Sequence, residues 1–127
     1  GNVIHTNDQM PAFIARKIAH VIGSDKEQAI GILGLSFKPG SDDVRDTPSA
    51  KIIRELLSLG YHRIYGYDPV ANAEFQRYYS DLAVSFVDTY DQLIEKSDAL
   101  VITTAWPEFK DIRERTGKPL VDCRYML

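Results

Sequence analysis

Short apolar runs alternate with amphipathic stretches along most of this chain, and that rhythm leaves few folds open to it. The runs cover residues 29–34, 63–67, 84–87, 99–103 and 120–123. The first of them, Ala-Ile-Gly-Ile-Leu-Gly, shows no polar alternation, as a strand buried on both faces would not. Between the runs lie helix signals. Thr47 and Pro48 supply an N-cap and a first helical position, Ile52, Ile53, Leu56 and Leu57 form a core-facing stripe, and Gly60 ends it. Further helices are expected over about 71–79, after a cap at Asp88 with Leu93 and Ile94 inward, and over 107–115. Upstream, Asn7 reads as an N-cap, Pro11 falls in the first turn, and Met10, Ile14, Ile18, Val21 and Ile22 recur at helical spacing until Gly23. Strands that alternate with helices call for a parallel sheet covered on both faces. Right-handed crossovers then favour the order 3-2-1-4-5, counted from residue 29. The expectation is an α/β, Rossmann-like three-layer sandwich with a five-stranded parallel sheet, preceded by an N-terminal helix. Residues 1–26 form the leading helix and 27–127 the domain.

At 127 residues the chain suffices for one domain with a real core. Its net charge of -3 provides no general field to draw nucleic acid or an anionic membrane, so any basic site is local. No apolar run approaches the roughly 20 residues of a membrane-spanning helix, and none reads as a signal peptide. The lone Cys123 excludes an internal disulfide and fits a cytoplasmic protein.

The stretch from Gly34 to Pro48 carries the chemistry. A strand end is followed not by a helix but by a polar loop bearing Lys38, Asp42, Asp43 and Arg45. Loops at the carboxyl ends of parallel strands bind ligands in open α/β sheets. An ammonium and a guanidinium there suit an anion such as a phosphate, with the two carboxylates shaping the loop. The plainer reading is a solvated loop with internal ion pairs. A dinucleotide fingerprint is absent, because G-x-G-x-x-G must turn directly into a helix and here the helix waits for Pro48. Asp68, before Pro69, reads as a turn former rather than a ribose ligand. Arg124, ending the fifth run, would share the sheet edge with Lys38 about 10 Å away, two strand spacings. It either grips the other end of a nucleotide-sized anion or pairs with Asp122. Trp106 either covers the sheet end or stacks on a base. Tyr61, Tyr65, Tyr67, Tyr78 and Tyr79 are expected at the core edge or surface. Cys123 is either activated by its neighbour Arg124 or an inert, partly buried thiol. His5, His20 and His62 are scattered, and no metal-ligand spacing exists.

Taken together, Gly34-Leu-Ser-Phe-Lys-Pro-Gly-Ser-Asp-Asp-Val-Arg-Asp-Thr-Pro48, Tyr67-Asp68-Pro69, the 99–109 segment through Thr-Ala-Trp-Pro-Glu-Phe, and Val121-Asp-Cys-Arg124 resemble the C-terminal domain of the UDP-glucose/GDP-mannose dehydrogenase family. The resemblance implies a nucleotide-sugar-binding domain of an enzyme that oxidises the sugar C6 hydroxymethyl to a carboxylate with two NAD+. It implies that Phe37, Lys38 and Arg124 contact a UDP-sugar and that Arg45 reaches toward NAD. Asp42 and Asp43 match the acidic pair that shapes the loop. No catalytic residue is expected in this chain. The NAD-binding domain and the nucleophilic cysteine would belong to the rest of the parent chain, which the family implies to be a homodimer. Residues 1–26 would lead in from the central dimerisation region. Ala105 replaces the acid usual before the tryptophan, and Cys123 the glycine usual before the arginine. GDP-mannose and UDP-N-acetylmannosamine dehydrogenases are the alternatives within the family. Outside it stand a receiver-like regulatory module, which wants an acid ending the third strand and a lysine after the fifth, and a complete small NAD-binding module.

Overall fold

A computed structural model describes residues 3–5, 11–124 and 126–127. The elements run β1 (Val3–His5), α1 (Pro11–Ile22), β2 (Ala29–Leu33), α2 (Pro48–Ser58), β3 (Arg63–Tyr67), α3 (Asn72–Tyr78), β4 (Ser85–Phe86), α4 (Tyr90–Lys96), β5 (Ala99–Ile102), α5 (Ile112–Arg115) and β6 (Leu120–Asp122). Every strand pair is parallel, and the sheet order is β1-β6-β5-β2-β3-β4. From β2 onward this is the anticipated 3-2-1-4-5. The addition is β1, which pairs with β6 and extends the sheet by a sixth strand. Three residues carry too little periodicity to announce a strand. The expected cap Asn7, and Met10, lie outside the described residues.

Strand alternation divides the core between two faces. Ile30 and Ile32 of β2 and Val101 of β5 join Ile14, Ile18 and Ile22 of α1, Ile52, Ile53 and Leu56 of α2, and Phe75 of α3. Leu33, Leu100 and Ile102 turn the other way, toward Leu93 of α4 and Phe109 and Ile112 around α5. Fully burying one such side chain contributes about 1.5–3 kcal/mol, so both helical layers are firmly attached to the sheet. No helix among the described residues is long and apolar enough to cross a membrane.

Three local expectations change. Thr89, not Asp88, caps α4: its hydroxyl accepts the Gln92 amide at 3.1 Å, while Asp88 N–H donates back to Gln92 Oε1 at 3.0 Å. The Thr-x-x-Gln spacing of a reciprocal cap outweighs the isolated acid. The stretch expected as one helix over 107–115 opens as a 3₁₀ turn, Pro107–Asp111, before α5. Tyr61, Tyr67 and Tyr79 are buried rather than peripheral. Burial is tolerated in two of them because the hydroxyls donate to carbonyls, Tyr61 to Gly23 at 2.7 Å and Tyr79 to Val44 at 2.6 Å.

Candidate functional site

Register aligns the strand ends. Leu33 pairs with Tyr67 on one side and Ile102 on the other, and Ile102 pairs with Asp122. Four loops therefore leave the sheet from one level, and those after β2 and β6 start about 10 Å apart. Lys38 and Arg124 both rise from this edge and are exposed. Among the described residues neither forms an ion pair. Asp122 is fully buried and accepts the backbone N–H groups of Arg124 at 3.0 Å, Met126 at 2.9 Å and Leu127 at 3.0 Å. It fixes the backbone of Arg124 while the guanidinium points to solvent.

The loop between β2 and α2 has a rigid base. Gly34 takes φ +99°, and a Cβ there would lie 2.3 Å from Thr104 Cβ and 2.7 Å from its backbone nitrogen. Glycine thus permits both the turn and the close approach of the β5 loop. Thr104 donates to the Ser36 carbonyl at 2.8 Å, and Ser49 to the Leu35 carbonyl at 3.1 Å. The key acceptor is Asp68, only 3% exposed. Its Oδ2 receives the N–H groups of Leu35 at 2.8 Å and Ser36 at 3.1 Å, the Ser36 hydroxyl at 3.1 Å, and the indole N–H of Trp106 at 3.3 Å. Its Oδ1 receives Val70 and Ala71 N–H, each at 3.0 Å. Asp68 forms its turn as expected, but it also organises a loop that sequence reasoning did not connect to it. With both oxygens engaged, it has no capacity left for a ribose. Trp106 covers the sheet end, partly buried against the α4–α5 core, and is tied there by its N–H.

Beyond this base the loop projects. Phe37 N–H donates to the Asp43 carbonyl at 2.8 Å, closing a compact excursion over 37–43. Phe37 is 55% exposed, an unusual state for that ring. Arg45 is forked onto Asp43, Nε to Oδ1 at 3.1 Å and Nη2 to Oδ2 at 3.2 Å. The guanidinium holds the Asp43 carboxyl below its usual range, and the carboxylate raises Arg45 in return. The loop is therefore both shaped and internally paired, and Asp43 aims Arg45. Asp42 is exposed beside them. A groove of about 420 Å³ runs past Asp42, Asp43, Arg45, Glu74, Arg77 and Tyr78. Carboxylates outnumber cations in it, and neither Lys38 nor Arg124 lines it.

Cys123 is a buried thiol held in its protonated form. Burial, and secondarily the Asp122 charge, push it up to about 12, against which Arg124 acts only weakly. Burial likewise raises Tyr67 and Glu108, with the nearby Asp68 charge acting in the same direction. Lys118 donates to the carbonyls of Ile94 at 2.5 Å and Glu95 at 3.4 Å, at the end of α4. That contact and its place before β6 remove it from the role a receiver module requires.

The geometry defines an open, doubly wound parallel sheet whose carboxyl edge carries an exposed aromatic ring and two exposed cations that form no ion pair among the described residues. The family described as UDP-glucose/GDP-mannose dehydrogenase, UDP binding domain, matches residues 31–127, and the chain belongs to it. The chain is 39% identical over 110 residues to UDP-glucose 6-dehydrogenase TuaD of Bacillus subtilis, covering 87% of this chain and 23% of that protein. It is 35% identical over 109 residues to the UDP-glucose 6-dehydrogenase of Rickettsia bellii, covering 85% and 25%. It thus spans about a quarter of the length of these relatives, in their C-terminal part. Among solved structures, a UDP-glucose dehydrogenase from Pyrobaculum islandicum superposes with a TM-score of 0.83 at 32% identity, covering 94% of this chain and 27% of that one. A GDP-mannose dehydrogenase from Pseudomonas aeruginosa gives 0.69 at 29% identity, covering 91% and 28%.

Proposed function

We propose that this chain is the UDP-sugar-binding part of an NAD-dependent UDP-glucose 6-dehydrogenase-like enzyme. The observation that carries the reading is the pair of exposed cations, Lys38 and Arg124, without an ion-pair partner among the described residues, at one sheet edge with the exposed Phe37 ring. The ammonium and guanidinium bind the diphosphate from two sides, and Phe37 offers its face to the nucleotide sugar. Asp42 and Asp43 hold the loop, and Arg45 is presented toward the cofactor. This chain does not fit a complete NAD site. Its glycine turn leads into a loop instead of a helix, and the acid ending β3 is occupied by protein donors. Dinucleotide binding is therefore assigned mainly to the rest of the parent chain, together with the nucleophilic cysteine. The whole enzyme, a cytoplasmic homodimer on this reading, oxidises the sugar C6 hydroxymethyl to a carboxylate, and this chain alone has no turnover.

Calorimetric titration with UDP tests the site. Charge-assisted contacts contribute about 1.5–3 kcal/mol each, so Lys38→Ala and Arg124→Ala should each weaken UDP roughly 10- to 100-fold. If both variants bind like the parent, the assignment is wrong. GDP titrated in parallel separates the UDP-sugar reading from the GDP-mannose alternative. NAD binding by the chain without UDP would revive the dinucleotide module.

A further inference from the structure

Asp68 is a buried carboxylate with no ion-pair partner among the described residues. Among the described residues it is met by N–H and O–H dipoles, and those dipoles come from the loops after three different strands. Leu35 and Ser36 follow β2, Val70 and Ala71 follow β3 itself, and Trp106 follows β5. Such an arrangement fixes the relative positions of the loops, because each donor must meet the same two oxygens. One link continues to the ligand edge. The Ser36 hydroxyl lies 3.1 Å from Asp68 Oδ2 and 3.1 Å from the Lys38 carbonyl, so its single proton is shared between them. The Ser36 carbonyl is meanwhile held by Thr104 at 2.8 Å. Ser36 is thus pinned at its amide, hydroxyl and carbonyl, and Phe37 and Lys38 follow directly from it.

We infer that Asp68 is a positioning residue for nucleotide binding, acting through Ser36 to set where Phe37 and Lys38 stand and locking them to the Trp106 loop. The inference rests on the proposed UDP site. Buried and saturated, Asp68 does not touch the ligand. Ionisation matters to the role, since N–H groups bond a carboxylate roughly twice as strongly as a neutral acceptor. An asparagine would also turn its NH2 toward one of the two donor sets, either Leu35 and Ser36 or Val70 and Ala71.

The test is a set of UDP titrations on this chain with Asp68→Asn introduced into the parent, Lys38→Ala and Arg124→Ala backgrounds. Action through Lys38 predicts about tenfold weaker UDP in the parent and Arg124→Ala backgrounds, and less than about twofold further loss once Lys38 is gone. A merely structural role predicts the same factor in all three, and that result overturns the inference. Ser36→Ala and Trp106→Phe each remove one donor to Asp68 with little change in packing. They should weaken UDP about threefold with melting temperature nearly unchanged, so the claim stays testable if Asp68→Asn folds poorly. Amide hydrogen exchange without ligand supplies an independent readout. Asp68→Asn should accelerate Leu35, Ser36 and Phe37 while leaving Arg124 and Met126 as they are. UDP bound normally by Asp68→Asn overturns the positioning role and spares the site. No UDP bound by the parent overturns the site, and the ligand role of Asp68 with it. Accelerated exchange at 35–37 would then still establish Asp68 as the residue that sets the loop.

Discussion

The two loops that carry Lys38 and Arg124 at the carboxyl edge of the sheet are built around the same device, used at different range. After β6, buried Asp122 accepts N–H groups from residues two, four and five positions ahead. After β2, the loop base is held by Asp68, whose partners lie 33 and 32 residues behind it and 38 ahead. Each carboxylate shapes backbone, and an exposed cationic side chain follows two residues beyond the anchored backbone or nearer. The local version organises one turn. The long-range version joins three strand ends and cannot be lost without disturbing all of them.

The contrast is sharpest when each acceptor is deleted. Asp68→Ala leaves Leu35, Ser36, Val70 and Ala71 N–H groups with no acceptor at a site only 3% exposed. A loss of about 3–5 kcal/mol is expected in urea denaturation, against about 1–3 kcal/mol for Asp122→Ala, whose donors all belong to one local turn. Equal losses would mean that range carries no weight.

A second comparison separates the base of the β2 loop from its tip. Gly34 and Gly40 both have positive φ, +99° and +83°, but a Cβ at Gly34 strikes Thr104 whereas Gly40 has nothing within 4 Å. Gly40→Ala should cost about 1–2 kcal/mol from backbone strain alone. Gly34→Ala should cost about 3 kcal/mol or more, because the β5 loop must also move. Thermal melts of the two variants decide whether the approach of the β2 and β5 loops is as tight as the geometry indicates.

What could be read from the sequence follows the same division. Strand order, helix faces and the common edge of Lys38 and Arg124 were legible, because each follows from periodicity or from rules of parallel connection. Asp122 and Arg124 were recognised as neighbours because they are close in sequence. The hub at Asp68 was not legible: Asp-Pro after a strand announces a turn, and no local pattern tells that the same carboxylate will meet Ser36 and Trp106. Strand β1 escaped for lack of length. Tyr61 and Tyr79 were misplaced because their burial depends on carbonyls 38 and 35 residues away.

The weakest expected effect lies at the loop tip. Asp43 and Arg45 form a fork with good geometry, yet the side chains are 44% and 74% exposed, so solvent screens the pair. Because Arg45 lowers the folded-state value of Asp43, the pair favours the fold above the unfolded carboxylate pKa of 3.8 and loses that effect as pH falls through the lower folded value. The contribution of this pair should therefore not change between pH 7 and pH 5. Asp43→Asn should leave the melting temperature at neutral pH where it is, while an NMR titration of Asp43 in an Arg45→Ala variant should return toward 3.8. A melting loss approaching that of Asp68→Ala would place the tip in the same cooperative unit as the base. The expected result assigns the fork a different task, holding the direction of the Arg45 guanidinium rather than the stability of the loop.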